Sequence, residues 1–362
     1  MNRFKLVLKA PFNSLSFGQV SYNLAKSLFK LRDKIDLSIF PINGNVDFGA
    51  YSLNPEFVKW FKQCADNRYS GIGPDTPCIH LWHIRDSDAK ITNNNLLFTF
   101  HELDSLTETE SAICGLHRKI AVSSEFSKSV FKKSGVINCA TVCIGFDDEV
   151  GVSTEDRFPD AIHFGLVGKW ENRKNTAKII KTWASIFGNK SGYRLTCLVE
   201  NSFLSPEQNQ SCIKAALGDT RFFNISFLPR LSTNALVNDF YHSIDIDLSG
   251  LSSAEGWNLP AFNATCSGKW SIVSNCTAHK DWATPENSIL VEPSGLVEPY
   301  DGVFFQKGGK FNQGMIYEIS EQSMSDAMMK SLTKAKKPNL VGIKTGEEFT
   351  YDKTLQQLLE LL

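Results

Sequence analysis

Short apolar runs alternate along this chain with stretches of helical period, the pattern of parallel strands covered by helices. Phe4 to Leu8 reads as the first strand. A loop from Pro11 to Phe17 leads to Gly18 and a helix with Val20, Leu24, Leu28 and Leu31 on one face, spaced by four, four and three. Further strands are expected at Ile35 to Phe40, Cys78 to Ile84, Leu96 to Phe100, Lys119 to Ser123 and Thr141 to Phe146. Between the last two, Ser123 or Ser124 can cap a helix carrying Phe126, Val130 and Phe131, which Gly135 ends. A polar stretch, Asp147 to Asp160, interrupts this grammar, and it then restarts. Strands are predicted at Ile162 to Val167, Arg194 to Val199, Ile225 to Leu228, Ile244 to Leu248, Ser271 to Ser274 and Ile289 to Val291. Helices are predicted at Thr176 to Phe187, Thr233 to His242, Leu259 to Cys266, Ser323 to Lys336 and Leu355 to Leu362. No segment repeats at a fixed short period.

The doubling predicts an α/β fold class with two Rossmann-like, doubly wound domains facing a central cleft, as the length of 362 residues also suggests. The expected domains are 1–155 and 156–345, with a C-terminal helix over 346–362 that can cross back to the first domain. With 42% hydrophobic and 21% charged residues the chain is ordinary globular material, and 38 basic against 39 acidic residues leave no global field to attract nucleic acid. Nine cysteines without CxxC spacing fit free thiols in a reducing compartment. The start has only three consecutive apolar residues between lysines, too short for a signal core, and no run approaches a membrane span. The expectation is a soluble, cytoplasmic protein without stable membrane insertion.

Ligands of open parallel sheets bind outside the carboxyl ends of the strands, and the densest chemistry falls at such an end. Ser252-Ser-Ala-Glu255-Gly256-Trp257-Asn258-Leu259-Pro260 follows a strand and opens a helix. Pro260 suits a first helical turn, whose free N–H groups and dipole favour an anion. Gly256 lets the backbone approach a ligand, and a carboxylate at Glu255 can accept hydrogen bonds from vicinal sugar hydroxyls. The pattern reads as a sugar and phosphate site.

The run Glu-Gly-Trp-Asn-Leu-Pro resembles the Glu-Gly-Phe-Gly-Leu-Pro signature of retaining, nucleotide-sugar-dependent glycosyltransferases of the GT-B fold, family 4. Gly168-Lys169 followed by Arg173-Lys174-Asn175 is similar to the stretch whose two cations hold the donor diphosphate in that family. Thr99-Phe100-His101-Glu102 is similar to its His-Asp strand end, Val122 to Lys128 to its Val-Ser-x-x-x-x-Lys helix start, and Phe12 to Leu24, with Gly18, to its first loop and helix. Three positions depart from the pattern. Asn263 stands where the family has a second Glu that binds the ribose, Lys169 stands where it has Arg, and the first loop has a single glycine, Gly18.

The resemblance implies transfer of a hexosyl or pentosyl group from a nucleoside diphosphate sugar with retention and without metal or other cofactor, with 1–155 on the acceptor side and 156–345 on the donor side. Lys169 and Lys174 would stabilise charge developing on the leaving diphosphate, His101 would position the donor sugar or its phosphate, and Glu255 would hold sugar hydroxyls. Gly18, Arg230, Gly256, Trp257, Asn258, Leu259 and Asn263 would complete the donor contacts, Arg230 lying in the Phe227 to Leu231 strand end that faces the base. Two pairs are decoys for metal: Asp245 and Asp247 alternate inside an apolar strand, and His80 and His83 lack ligands at suitable spacing. Lys128, Lys132 and Lys133 read as a solvated helix face. The alternatives are a nucleotide-sugar-binding protein without turnover and, for the acceptor, hydroxymethylated DNA in place of a saccharide or lipid. Nucleic acid enters only as acceptor. A dinucleotide-dependent oxidoreductase is set aside because no G-x-G-x-x-G follows the first strand.

Overall fold

The computed structural model describes residues 3–154, 157–302 and 304–362. The chain divides into two compact units. The first comprises Met1–Asp147, Gly308–Gln313 and Phe349–Leu362, and the second Asp148–Lys307 and Gly314–Glu348. The boundary expected between residues 155 and 156 falls outside the described residues.

In the first unit the strands are β1 (Phe4–Phe12), β2 (Ile35–Val46), β3 (Cys78–Leu81), β4 (Asn95–Thr99), β5 (Lys119–Val122) and β6 (Cys139–Thr141). They form one parallel sheet in the order β2-β1-β3-β4-β5-β6. Leu6, Val7, Leu8, Ile79, Leu97, Phe98 and Ile120 are fully buried, as expected of strands covered on both faces. The helices are α1 (Ser16–Lys30), α2 (Pro55–Asp66), α3 (Glu108–Gly115) and α4 (Glu125–Lys133). In α1, Val20, Leu24 and Leu28 are buried as the spacing predicts. Ser124 caps α4 by accepting from Ser127 N, and Gly135 follows its end at φ 85°.

The second unit repeats the plan with β7 (Ile162–Val167), α5 (Thr176–Phe187), β8 (Tyr193–Leu198), α6 (Pro206–Leu217), β9 (Ile225–Phe227), α7 (Asn234–Ser243), β10 (Ile246–Gly250), α8 (Leu259–Cys266), β11 (Trp270–Ser274) and β12 (Ser288–Val291). The parallel order β12-β11-β10-β7-β8-β9 is the 3-2-1-4-5-6 arrangement of a dinucleotide-type sheet, reversing direction between β7 and β10. Phe164, Trp183, Phe187, Leu195, Ile246 and Ile272 fill its core. A short antiparallel hairpin, β13 (Gly295–Val297) and β14 (Ile316–Glu318), precedes α9 (Glu321–Ser331) and α10 (Leu340–Glu348). The last helix, α11 (Tyr351–Glu360), belongs to the first unit and lies on α1, where Asp352 accepts from Ser27 Oγ at 2.6 Å and pairs with Lys30 at 2.9 Å.

The strand expected over Thr141 to Phe146 is displaced: β6 ends at Thr141. The following residues turn to the chain's end instead, with Phe146 N donating to Phe349 O at 2.8 Å. Gly145 permits this, because a Cβ there would stand 2.2 Å from Tyr351 N. The Asp-x-Asp pair is structural. Asp245 accepts from His163 N and pairs with Lys336 at 2.9 Å, while Asp247 is fully buried and accepts from Ser249 Oγ at 2.6 Å. Lys128 pairs with Glu125 on its own helix. All nine cysteines are free thiols. Among the described residues no helix is long and apolar enough to cross a membrane.

Candidate functional site

The second sheet reverses between β7 and β10, and the loops leaving these two strands are stitched together. After β7, Gly168 lies at φ 153°, and a Cβ there would come 3.2 Å from Lys174 Cδ, so the glycine makes room for the lysine stem. Asn175, at φ 55°, precedes α5 and donates from Nδ2 to Leu251 O and to Ser253 Oγ, both at 2.9 Å. Ser253 N in turn donates to Arg173 O at 2.8 Å, and Tyr317 N of β14 donates to Ser253 O at 3.0 Å.

This stitching aligns a chain of alternating charges. Lys169 Nζ is 2.9 Å from Glu171, whose other oxygen is 3.2 Å from Arg173. Arg173 continues to Glu255 at 3.1 Å, and Glu255 ends on Lys174 at 2.7 Å. Arg173 also donates to Ala254 O. Glu171, Arg173 and Glu255 are buried, Lys174 is mostly so, and Lys169 is the most exposed member at 38%. Its ammonium lies 5.1 and 4.7 Å from the ring centroids of Phe203 and Phe304, which pack edge to face. Burial alone would raise the Glu255 carboxyl, but Arg173 and Lys174 outweigh it and hold the group at about 2. Glu255 is therefore a permanent anion near neutral pH, an acceptor for hydroxyls rather than a proton donor. Glu171 is likewise held low against its burial by Arg173 and Lys169.

A second layer fixes the Glu255 turn. Its N–H donates to Thr277 Oγ1 at 3.1 Å. Thr277 opens the 3-10 turn Thr277–Asp281 at φ 49°, a costly conformation for a β-branched residue. His279 is buried, which lowers it to about 4 although Glu255 opposes the shift. The neutral ring has one arrangement that satisfies its neighbours: Nδ1–H donates to Ser274 O at 2.8 Å, and Nε2 accepts from Asn258 Nδ2 at 3.0 Å. Asn258, at φ 68°, also donates to Ser249 O at 2.9 Å and caps α8 through Ala261 N.

The structure thus brings Lys169, Lys174, Glu255, Gly256, Asn258 and Leu259 to the same strand ends. The Trp257 side chain departs from the expected donor contact. It is buried against Phe262 at 5.2 Å, and its carbonyl accepts from Trp282 Nε1, so its role is in the core beneath the turn. Asn263 lies one turn into α8, half-buried; among the described residues no donor reaches its Oδ1. Arg230 is exposed on the loop after β9, with its N–H on Glu200 at 3.0 Å. Gly18 and His101 belong to the first unit. Gly18 lies in the first turn of α1, where a Cβ would meet Asn13 O at 2.1 Å. His101 is buried at the end of β4 with Nε2 3.1 Å from Ser105 O, and burial lowers its pKa against the pull of Glu110 and Glu102.

The sequence reading named Lys174 but passed over Arg173 as a site residue, although the two are adjacent. Glu171, Thr277 and His279 carry no local signal, because their roles arise from contacts across the sheet's switch point.

No protein-family model matches this sequence, and no curated protein matches it. Solved structures do match along the whole chain. Sucrose-phosphate synthase from Thermosynechococcus elongatus aligns with a TM-score of 0.69 at 13% identity, covering 99% of this chain and 98% of that one. Trehalose 6-phosphate synthase from Burkholderia multivorans aligns at 0.64 and 10% identity, covering 100% and 98%. The Anabaena protein HepE, solved in complex with UDP-glucose, aligns at 0.62 and 11% identity, covering 98% of each. The fold is GT-B, with two Rossmann-like α/β units.

Proposed function

We propose that this protein is a retaining, metal-independent glycosyltransferase that takes its sugar from a nucleoside diphosphate donor. The observation that carries the reading is the charge chain Lys169–Glu171–Arg173–Glu255–Lys174 at the β7/β10 switch point. Its cations outnumber its carboxylates, and Lys169 is the one left most open to a ligand. A donor diphosphate would take Lys169 and Lys174 as its counter-ions, and these two ammonium groups would stabilise the charge that builds as the glycosidic bond breaks. Glu255, held ionised, would accept hydroxyl hydrogen bonds from the sugar. In a retaining transfer of this kind the leaving diphosphate takes the acceptor's proton on the same face, so no protein nucleophile is required. Asn263 would take the ribose contact, its amide being able to accept from and donate to a diol. HepE was solved with UDP-glucose, which makes that compound the first donor to try.

Two features favour a second reading, a nucleotide-sugar binder without turnover. Both oxygens of Glu255 are occupied by Arg173 and Lys174, and Asn263 carries no charge. Incubation with UDP-glucose, in EDTA, with and without acceptor candidates separates the two. Release of UDP is the expected result, and binding without release under every acceptor condition would favour the binder.

A further inference from the structure

The connection between β13 and β14 serves both units in turn. Its first part belongs to the second unit, where the Phe304 ring lies 4.7 Å from Lys169 Nζ. The next stretch, Gly308–Gln313, belongs to the first unit, and the chain passes over and back at two glycines, Gly308 at φ 75° and Gly314 at φ 141°. This stretch closes on itself as a strap. Gln313 Oε1 accepts from Gly308 N at 3.0 Å, and its Nε2 donates to Phe311 O at 3.0 Å and to Asn312 O at 3.1 Å. The chain entering α3 grips the strap by its backbone. Ser105 Oγ donates to Gln313 O at 2.9 Å, Thr107 Oγ1 donates to Lys310 O at 2.7 Å, and Glu110 Oε1 accepts from Asn312 N at 2.9 Å. Glu110 is buried and its Oε2 accepts from Thr107 N at 2.8 Å, so one carboxylate holds the α3 cap and the strap together. Ser105 has a second partner: its carbonyl lies 3.1 Å from His101 Nε2.

We propose that the strap makes Ser105, Glu110 and Gln313 positioning residues for His101, an inference that rests on the glycosyltransferase reading above. A histidine that orients a donor needs a fixed ring, because a small misplacement of such a group costs rate steeply. The backbone partners of the His101 ring, Leu103 and Ser105, lie on one short loop that has no helix or strand of its own. The strap supplies the missing rigidity. It holds Ser105 through Gln313 O, while Ser127 Oγ donates to His101 O at 2.8 Å. Gln313 acts by keeping the strap closed, and Glu110 acts twice. Its carboxylate binds the strap, and its charge is the largest of the influences that oppose the lowering of the His101 pKa by burial. A glutamine at position 110 could do neither fully, since an amide offers one oxygen to two N–H donors and carries no charge. Lys169 and His101, the two groups expected at opposite ends of the donor, are thus both served by the β13–β14 connection.

The test measures UDP release from UDP-glucose by the full chain, with water, glucose or maltose offered as acceptor, on wild type, Ser105→Ala, Ser105→Thr, Gln313→Ala and Glu110→Gln. Nuclear magnetic resonance follows the histidine ring nitrogens of each protein, the His101 signal being the one lost in His101→Asn. In Ser105→Ala and Gln313→Ala the expected result is a kcat lowered about tenfold or more, with KM for UDP-glucose and the UDP-induced thermal shift retained. The His101 signal is displaced in both while those of the other histidines stay. Ser105→Thr keeps the hydroxyl and retains the rate, and Glu110→Gln titrates His101 at lower pH than wild type. The half-buried Gln313 guards against a variant that loses its fold. A kcat that survives both Ser105→Ala and Gln313→Ala, or a His101 signal unmoved in both, would overturn the positioning role. A fall in kcat accompanied by loss of the UDP-induced shift would place the damage at the donor site and overturn it as well. Wild type that releases no UDP with any acceptor would overturn the functional reading and this inference together, whereas an active wild type matched by its variants would overturn this inference alone.

Discussion

Glu255 and Lys174 stand at the end of a buried chain of charges, and this changes what their substitution tests. Glu255→Ala would take from the mostly buried Lys174 the carboxylate it pairs with and leave Arg173 with Glu171 alone, and breaking a buried pair in this way costs about 3–5 kcal/mol. Glu255→Gln keeps the shape and one acceptor oxygen, so it removes the charge without also leaving a cavity. Lys174→Ala and Glu255→Gln are each expected to lower the rate of UDP release from UDP-glucose by about a hundredfold or more, with far-ultraviolet circular dichroism unchanged. Asp247 gives a pH prediction. Burial raises it from 3.8 to about 6, against the pull of Ser249, so the folded state holds a proton that the unfolded chain releases. Stability is then favoured below pH 3.8 and the cost of the buried charge grows until about pH 6. That cost is on the order of 3 kcal/mol. Urea unfolding of Asp247→Asn against wild type should show the balance moving toward the variant as pH rises from 4 to 7; a difference independent of pH would contradict it. Glu255 and Lys174 were legible because each sits in a run with several matching neighbours. Thr277 and His279 were not, since nothing near them in sequence reports that they meet the Glu255 turn.

Elements with strong periodicity, such as β7, α5 and α8, emerge with the limits their sequences predict. Those missed have identifiable reasons. α6 buries only Ala216, so its apolar pattern is nearly blank, although the capping box of Ser205 and Gln208 marks its start. α10 exposes Leu340 and Val341 and buries Gly342 and Gly346, inverting the usual signal; Gly342 lets it approach α8, where a Cβ would stand 2.3 Å from Thr265 O. α2 lies within Pro41 to Pro77, where Asn54 caps and Phe57, Phe61 and Cys64 are buried. The docking of α11 gives a prediction of its own. Gly145→Ala would push a Cβ against the Tyr351 backbone, with an expected loss of about 1–3 kcal/mol. Limited proteolysis should then cut near Phe349 faster than in wild type, and an unchanged rate would contradict the packing described.

The molecule repeats one architecture twice, and the chain of charges lies at the switch point of the second sheet, between β7 and β10. The GT-B fold was legible from the doubled strand and helix grammar and from a handful of short motifs, even though the structural relatives share only 10 to 13% identity with this chain. The most direct measurement is thermal unfolding in EDTA with UDP, ADP and GDP, on wild type and Lys174→Ala. A ligand that binds the folded state raises the melting temperature by an amount that grows with the logarithm of its concentration above the dissociation constant. The donor-site assignment predicts a concentration-dependent rise with at least one of these nucleotides in wild type and a much smaller one in Lys174→Ala. No rise with any of them, or an equal rise in both proteins, would contradict it.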